Sequence, residues 1–143
     1  MIKVTILRGL PASGKTTRAF EIIKSNPSTK RVNKDDLRNM IDFGVYSEDN
    51  EKMIRYIEFH MVSMLLSGGY SIVIDDTNIK NGTIEDWKKS LFHTNAEIEE
   101  IWIDTPVNEC IERDAIRDKS VGKDVILALH EQRQLNNTGT KLS

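Results

Sequence analysis

The feature that most limits what this chain can become is an eight-residue glycine loop set between a strand and a helix. Residues 2–7 are apolar and β-branched and run into Arg8. Gly9-Leu10-Pro11-Ala12-Ser13-Gly14-Lys15-Thr16 follows, a full match to G-x-x-x-x-G-K-[ST]. Residues 15–25 then carry Ala19, Phe20, Ile22 and Ile23 at helical spacing, and Asn26-Pro27 ends the helix. Strand, loop and helix in that order are the context this pattern requires. Gly9 and Gly14 allow backbone angles and close approach that a side chain would block. The N–H groups of Ala12, Ser13, Gly14, Lys15, Thr16 and Thr17 can then converge on phosphate oxygens at the helix N-terminus. The pattern predicts Lys15 at the β- and γ-phosphates and the Thr16 hydroxyl on Mg²⁺, with ATP or another nucleoside triphosphate as ligand.

The rest of the chain alternates helical and extended patterns. A short extended piece falls near Arg31-Val32, and residues 35–42 read as a helix with Leu37, Met40 and Ile41 inward. A longer helix starts at Ser47, carries Met53, Ile54, Ile57, Met61, Met64 and Leu65, and ends at Gly68-Gly69. Its methionine stripe reads as core. Residues 70–75 form an apolar run that suits a strand covered on both faces. Helix 83–92, strand 97–103, helix 107–117 and helix 123–134 complete the order, and the polar tail 136–143 is expected to fray. This alternation predicts an α/β, three-layer P-loop NTPase fold. A parallel sheet of four or five strands would carry helices on both faces and an adenylate-kinase-like lid segment. With 143 residues, 38% of them hydrophobic and 29% charged, residues 1–143 read as one globular domain. No apolar run reaches the length of a membrane span, the N-terminus has no leader-like cleavage site, and Cys110 is alone. The expected location is the cytoplasm, with no membrane partner.

The loop does not name a reaction. The net charge of −2 divides into +6 over residues 1–38 and −8 over the remainder, which argues against a general nucleic-acid coat and allows a local phosphate site. Asn33-Lys34-Asp35-Asp36 imitates the guanine-reading pattern of GTPases. It comes only 17 residues after Thr16, however, and the chain has no Asp-x-x-Gly switch motif. Asp35 and Arg38 lie three apart on one helical face. A carboxylate there can accept a hydroxyl proton during phosphoryl transfer, and a guanidinium one turn away can grip an anionic part of the acceptor. A helix cap with an ordinary surface ion pair has the same spacing. Asp75 and Asp76 close the buried strand, and either can organise the metal's water or Lys15. Arg113 and Arg117 lie four apart, and with the following residues to about 124 they read as a flap over the nucleotide. A Glu109–Arg113 helix pair competes with that reading.

Four segments in order, the glycine loop, Val32–Arg38, Ile74–Asn78 and Arg113–Ile126, make the chain resemble the kinase domain of the bacteriophage polynucleotide 5′-kinase family. The resemblance spans residues 2 to about 135. The glycine loop is shared with many families; Asp-Asp-x-Arg with Asp-Thr-Asn in register is more selective. The resemblance implies transfer of the γ-phosphate of ATP to 5′-hydroxyl ends of DNA or RNA, as in nucleic-acid end repair. It implies Asp35 as general base and Arg38 as ligand of the acceptor's 3′-phosphate. Asp76 is the favoured acid, with Thr77 and Asn78 beside the acceptor. Arg117, with Arg113 behind it, faces the donor phosphates. A phage source would place the protein in the host cytoplasm. Family members often join this kinase to a 3′-phosphatase, and some to a ligase; neither signature occurs here, so the expectation is the kinase module alone. A P-loop kinase of a nucleoside, sugar or antibiotic, and a non-catalytic NTP-binding module, share parts of this pattern. His60, His93 and His130 lack ligand spacing, and Trp87, Trp102 and Cys110 read as packing residues.

Overall fold

The computed structural model describes residues 2–137. The sheet is parallel and four-stranded, in the order β2 (Thr29–Val32), β3 (Ser71–Asp75), β1 (Lys3–Arg8), β4 (Glu97–Trp102). The helices are α1 (Lys15–Ser25), α2 (Lys34–Asp42), α3 (Glu48–Ser67), α4 (Asn81–Leu91), α5 (Val107–Ala115) and α6 (Lys123–Asn137), with a 3₁₀ turn at Phe92–Thr94. The chain leaves β1, passes through α1 to the far edge at β2, and returns to β3. From there it crosses by α4 to β4 on the other side of β1. The reversal opens a crevice at the carboxyl ends of β1 and β3, where ligands of such sheets bind.

Side chains alternate across the strands, and each face buries its own set. Val4, Ile6, Val32, Ile72 and Ile74 pack with Val62 and Leu66 of α3 and Ile84 and Leu91 of α4. On the opposite face Leu7 and Val73 meet Ala19 of α1, with Ile22 and Ile101 alongside. A third cluster sits past the strand ends. There Leu10 of the glycine loop and Ile79 after β3 contact Cys110 of α5 and Ile126 of α6. Sheet and helices therefore form the predicted α/β P-loop arrangement, with helices on both faces and four strands.

Local chemistry explains the element ends. Asn33 caps α2, its Oδ1 accepting from Asp36 N at 2.8 Å, and Ser47 caps α3, its Oγ accepting from Asn50 N at 3.1 Å. Gly69, at φ +90°, closes α3 while Tyr70 N donates back to Leu65 O at 3.1 Å. By contrast, α1 starts at Gly14 (φ +106°) with no side-chain cap, which leaves its first amides free for a ligand.

Several expectations of the packing are corrected. Met40 is 75% exposed and Ile41 is also exposed; of the methionine stripe on α3, Met64 (73%) and Met53 are exposed and only Met61 packs against the core. Ile54, Val62 and Leu66 form the buried line of α3 instead. The final helix runs to Asn137, and the Asn136 side chain donates to Ile79 O at 2.5 Å, so the tail is anchored where it begins. Residues 138–143 of the expected fraying tail lie outside the described residues.

Arg8, only 4% exposed, rivets the carboxyl ends of the strands. It donates to Asn78 O at 2.8 Å, Ile79 O at 3.0 Å, Asn81 Oδ1 at 3.0 Å and Glu100 Oε1 at 2.9 Å, and it stacks on Trp102. Arg8→Ala would orphan the buried Asn78 carbonyl and remove one partner each from the Ile79 carbonyl, which keeps Asn136, and from Glu100, which keeps Lys88. We expect a loss of about 3 kcal/mol of unfolding free energy in urea denaturation. A loss below about 1 kcal/mol would show that Arg8 is not the rivet.

Candidate active site

The glycine loop wraps the carboxyl end of β1. A Cβ on Gly9 would lie 2.8 Å from Ser13 Oγ and 3.2 Å from the Ile103 carbonyl, so the turn closes only around glycine. Ala12 (φ +62°) and Gly14 are left-handed, which gathers the loop amides into a nest ahead of α1. Ser13 Oγ is buried without a protein partner, and Lys15 Nζ donates to Gly9 O at 3.0 Å and Leu10 O at 2.6 Å. Burial depresses the Lys15 pKa to about 8, although Asp75 nearby pulls it upward. Thr17, next along α1, is exposed.

Asp75 and Asp76 are separated by the alternation of the strand. Asp75 faces α1 and accepts the Thr16 hydroxyl at 2.8 Å and Arg31 Nε at 2.8 Å. Asp76 faces the other way, accepting Lys34 N at 2.8 Å at the start of α2. The acid that touches Thr16 is thus Asp75, and Asp76 serves the α2 side. Thr16 Oγ1 and Asp75 Oδ2 are hard oxygen donors set against a phosphate nest, a donor set that suits Mg²⁺ completed by phosphates and water. Arg31, which the sequence patterns did not single out, continues from Asp75 to Asp36 at 2.6 Å.

Asp35 and Arg38 do project together from α2, with Arg38 Nη1 donating to Asp35 Oδ1 at 2.5 Å. Two glutamates of α3 that no motif pointed to stand behind them. Glu51 accepts Arg38 Nε at 2.7 Å and Nη2 at 2.6 Å. This fork drives the Arg38 pKa up and, against burial, holds the Glu51 carboxyl below its usual range. Glu58, 3% exposed, meets the Asp76 carboxyl. Burial and the Asp76 charge push the Glu58 pKa up to about 10, so Glu58 keeps its proton at neutral pH. The signal in the sequence was available: Glu51 and Glu58 interrupt the buried line 54, 62, 66 on the same side of α3.

The Thr77 carbonyl accepts Gly9 N at 3.0 Å, tying the end of β3 to the loop. Asn78, expected beside the acceptor, is buried instead; its Nδ2 donates to Leu7 O at 2.7 Å. Of the two arginines on the flap, Arg113 lies on the glycine loop, its Nη1 donating to Ser13 O at 3.5 Å, and it also pairs with Glu109 at 2.6 Å. Arg117 pairs with buried Asp114 at 2.7 Å. Asp114 also accepts Val121 N at 3.0 Å and Gly122 N at 2.9 Å, which sets the turn between α5 and α6.

A family model described as an AAA domain (AAA_33) matches residues 4–136. The chain belongs to this AAA-domain family. The L-seryl-tRNA(Sec) kinase of Methanococcus maripaludis is 27% identical over 140 residues, 95% of this chain and 53% of that protein. A chain of the Pnkp1/Rnl/Hen1 RNA repair complex superposes with a TM-score of 0.85 at 29% identity, over 96% of this chain and 46% of that chain. The AAA domain therefore spans about half the length of both. The APS kinase CysC of Mycobacterium tuberculosis, in complex with AMPPNP and APS, shares the fold, with a TM-score of 0.68 at 19% identity over 80% of this chain and 69% of that one. The domain has a P-loop kinase-like fold. Among the described residues no helix is long and apolar enough to cross a membrane.

Two pH effects follow. Glu58 holds a proton in the folded protein that the unfolded chain releases near its ordinary value of 4.5. The stability this proton supports is complete below that value and is lost as pH rises towards 10. Glu58→Gln should therefore lose less stability than the parent between pH 6 and pH 9 in urea unfolding; equal losses would refute a protonated Glu58. For Lys15, only the protonated amine attracts phosphate. Affinity for ATP should fall by up to about tenfold between pH 7 and pH 9 by calorimetry, and Lys15→Ala should bind weakly with no such slope.

Proposed function

We propose that this domain is an ATP- and Mg²⁺-dependent polynucleotide kinase that phosphorylates 5′-hydroxyl ends of DNA or RNA. The observation that carries the reading is the placement of Asp35 and Arg38 on α2, across the crevice from the glycine loop and pinned there by Asp76. The likeness to a chain of an RNA repair complex supports it. Lys15 and the amides from Ala12 to Thr17 hold the donor phosphates. Thr16 and Asp75 hold the metal, which neutralises charge on the transferring group when bound. Asp35 accepts the proton of the attacking 5′-hydroxyl at its carboxylate, and Arg38 binds the 3′-phosphate of the acceptor. Thr77 lines the acceptor side. Arg113, already on the loop, and Arg117, one turn further on, meet charge developing on the donor as segment 113–124 covers it. The acceptor is an end rather than a long tract, and the protein works in the cytoplasm.

A second reading has its own support. The acceptor in the name of the L-seryl-tRNA(Sec) kinase bears its hydroxyl on a serine carried by tRNA rather than on a terminal ribose, and such an acceptor would use the same base. Small metabolites and a purely nucleotide-binding role are the remaining alternatives. Incubation with γ-labelled ATP, Mg²⁺ and a 5′-hydroxyl oligonucleotide, a seryl-tRNA or a metabolite panel separates them. Label on the oligonucleotide is the expected result, and label on another acceptor, or on none, overturns it. Asp35→Asn should lower transfer by about 10²- to 10⁴-fold while ATP affinity stays within about twofold, since Asp35 lies outside the donor cradle. Retained transfer would remove Asp35 from the mechanism.

A further inference from the structure

Arg38 has five N–H donors, and three of them are committed within the protein. Glu51 takes Nε and one N–H of Nη2 through its two oxygens, and Asp35 takes one N–H of Nη1. One donor on Nη1 and one on Nη2 remain. A side-on fork to a buried carboxylate fixes the plane of the guanidinium and its rotation about Cδ–Nε. The direction of the two remaining donors is thereby fixed as well. Glu51 is itself held: it lies in the first turn of α3, buried, one helical stretch before Glu58, which meets Asp76. The acids and cations around this pair are Asp35, Asp76, Lys34 and Arg55. Neither cation has an ion pair with Glu51, so its carboxylate is reserved for Arg38.

We infer that Glu51 is the positioning residue that aims Arg38 at the acceptor, and that it makes this site selective for a hydroxyl-bearing unit with an attached phosphate. The inference rests on the reading of Arg38 as the acceptor's anion ligand. A carboxylate in this place has two opposed consequences. As a positioner, it orients the guanidinium and improves use of a phosphorylated acceptor. As a competitor, it occupies the guanidinium and weakens that use. The side-on geometry favours the first, because it leaves one N–H on each terminal nitrogen free.

The test compares kcat and KM for a nucleoside 3′-monophosphate and for the same nucleoside without phosphate, with labelled ATP as donor. Glu51→Gln offers one acceptor oxygen instead of two and turns an amide N–H towards the guanidinium. The preference for the phosphorylated acceptor should fall by about 10- to 100-fold, chiefly through KM, the range set by loss of a charge-assisted pair. Glu51→Asp, which keeps the charge on a shorter arm, should recover part of it. ATP affinity and near-UV circular dichroism report whether the variant is folded. Should Glu51→Gln fold poorly, Arg38→Gln with Glu51→Gln removes both charges together. That double variant should be no worse than Arg38→Gln alone. An improved preference in Glu51→Gln, or a double variant well below Arg38→Gln, overturns the positioning role. If Arg38→Gln itself keeps the full preference, the failure lies in the anion-ligand reading and not in Glu51.

Discussion

The site depends on the two-residue period of a strand, applied at the last turn of chain before the crevice. Asp75 shares a face with Val73 and so looks towards α1; Asp76 shares a face with Ile72 and Ile74 and so looks towards α3. Two neighbouring acids are thereby delivered to two different jobs with no loop between them. One reaches the Thr16 hydroxyl in the donor cradle, and the other holds the first amide of α2. Because β3 is buried and bonded on both sides, the distance between donor cradle and α2 is set by the sheet itself. Side chains on rigid elements keep their spacing better than side chains on loops.

The rest of the crevice wall on the α2 side follows from that spacing. Asn33 both caps α2 and bonds the Asp75 carbonyl, so the entry into α2 is tied to β3 from two directions. α3 then lies behind α2 and supplies a carboxylate to each of its neighbours, Glu51 to Arg38 and Glu58 to Asp76. One of these acids is charged and paired with a guanidinium, and the other is kept neutral by burial beside a second carboxyl. The same side chain, seven residues apart on one helix, meets opposite electrostatic surroundings. That contrast comes from what each glutamate faces and not from the helix.

How much of this the sequence carried depended on whether the information was local. The strand–loop–helix context, the order of elements and the parallel sheet were legible, because periodicity, caps and glycines are properties of adjacent residues. The Asp35–Arg38 pair was legible for the same reason, being one turn of one helix. What escaped was non-local. Nothing in the chain's spacing joins Arg31 of β2 to Asp75 of β3, or Glu51 to Arg38 thirteen residues earlier. The resemblance put Asn78 beside the acceptor, yet the buried side chain donates to the Leu7 carbonyl of β1, a contact seventy-one residues away in the chain. Met40, Met53 and Met64 fit an apolar period and still face outward, since a period shows that a stripe exists and not which part of it another element covers.

The ion pairs also change what the excess positive charge near the N-terminus can do. Arg8 answers Glu100, Arg31 answers Asp75 and Asp36, and Arg38 answers Glu51 and Asp35. Each of these arginines is screened by acids within hydrogen-bonding distance, so their field dies away within a few ångströms of the surface. Whatever long-range attraction the stretch exerts on an anion is left to lysines such as Lys24, Lys30 and Lys34. A phosphate that meets Arg31 or Arg38 does so by fit at close range.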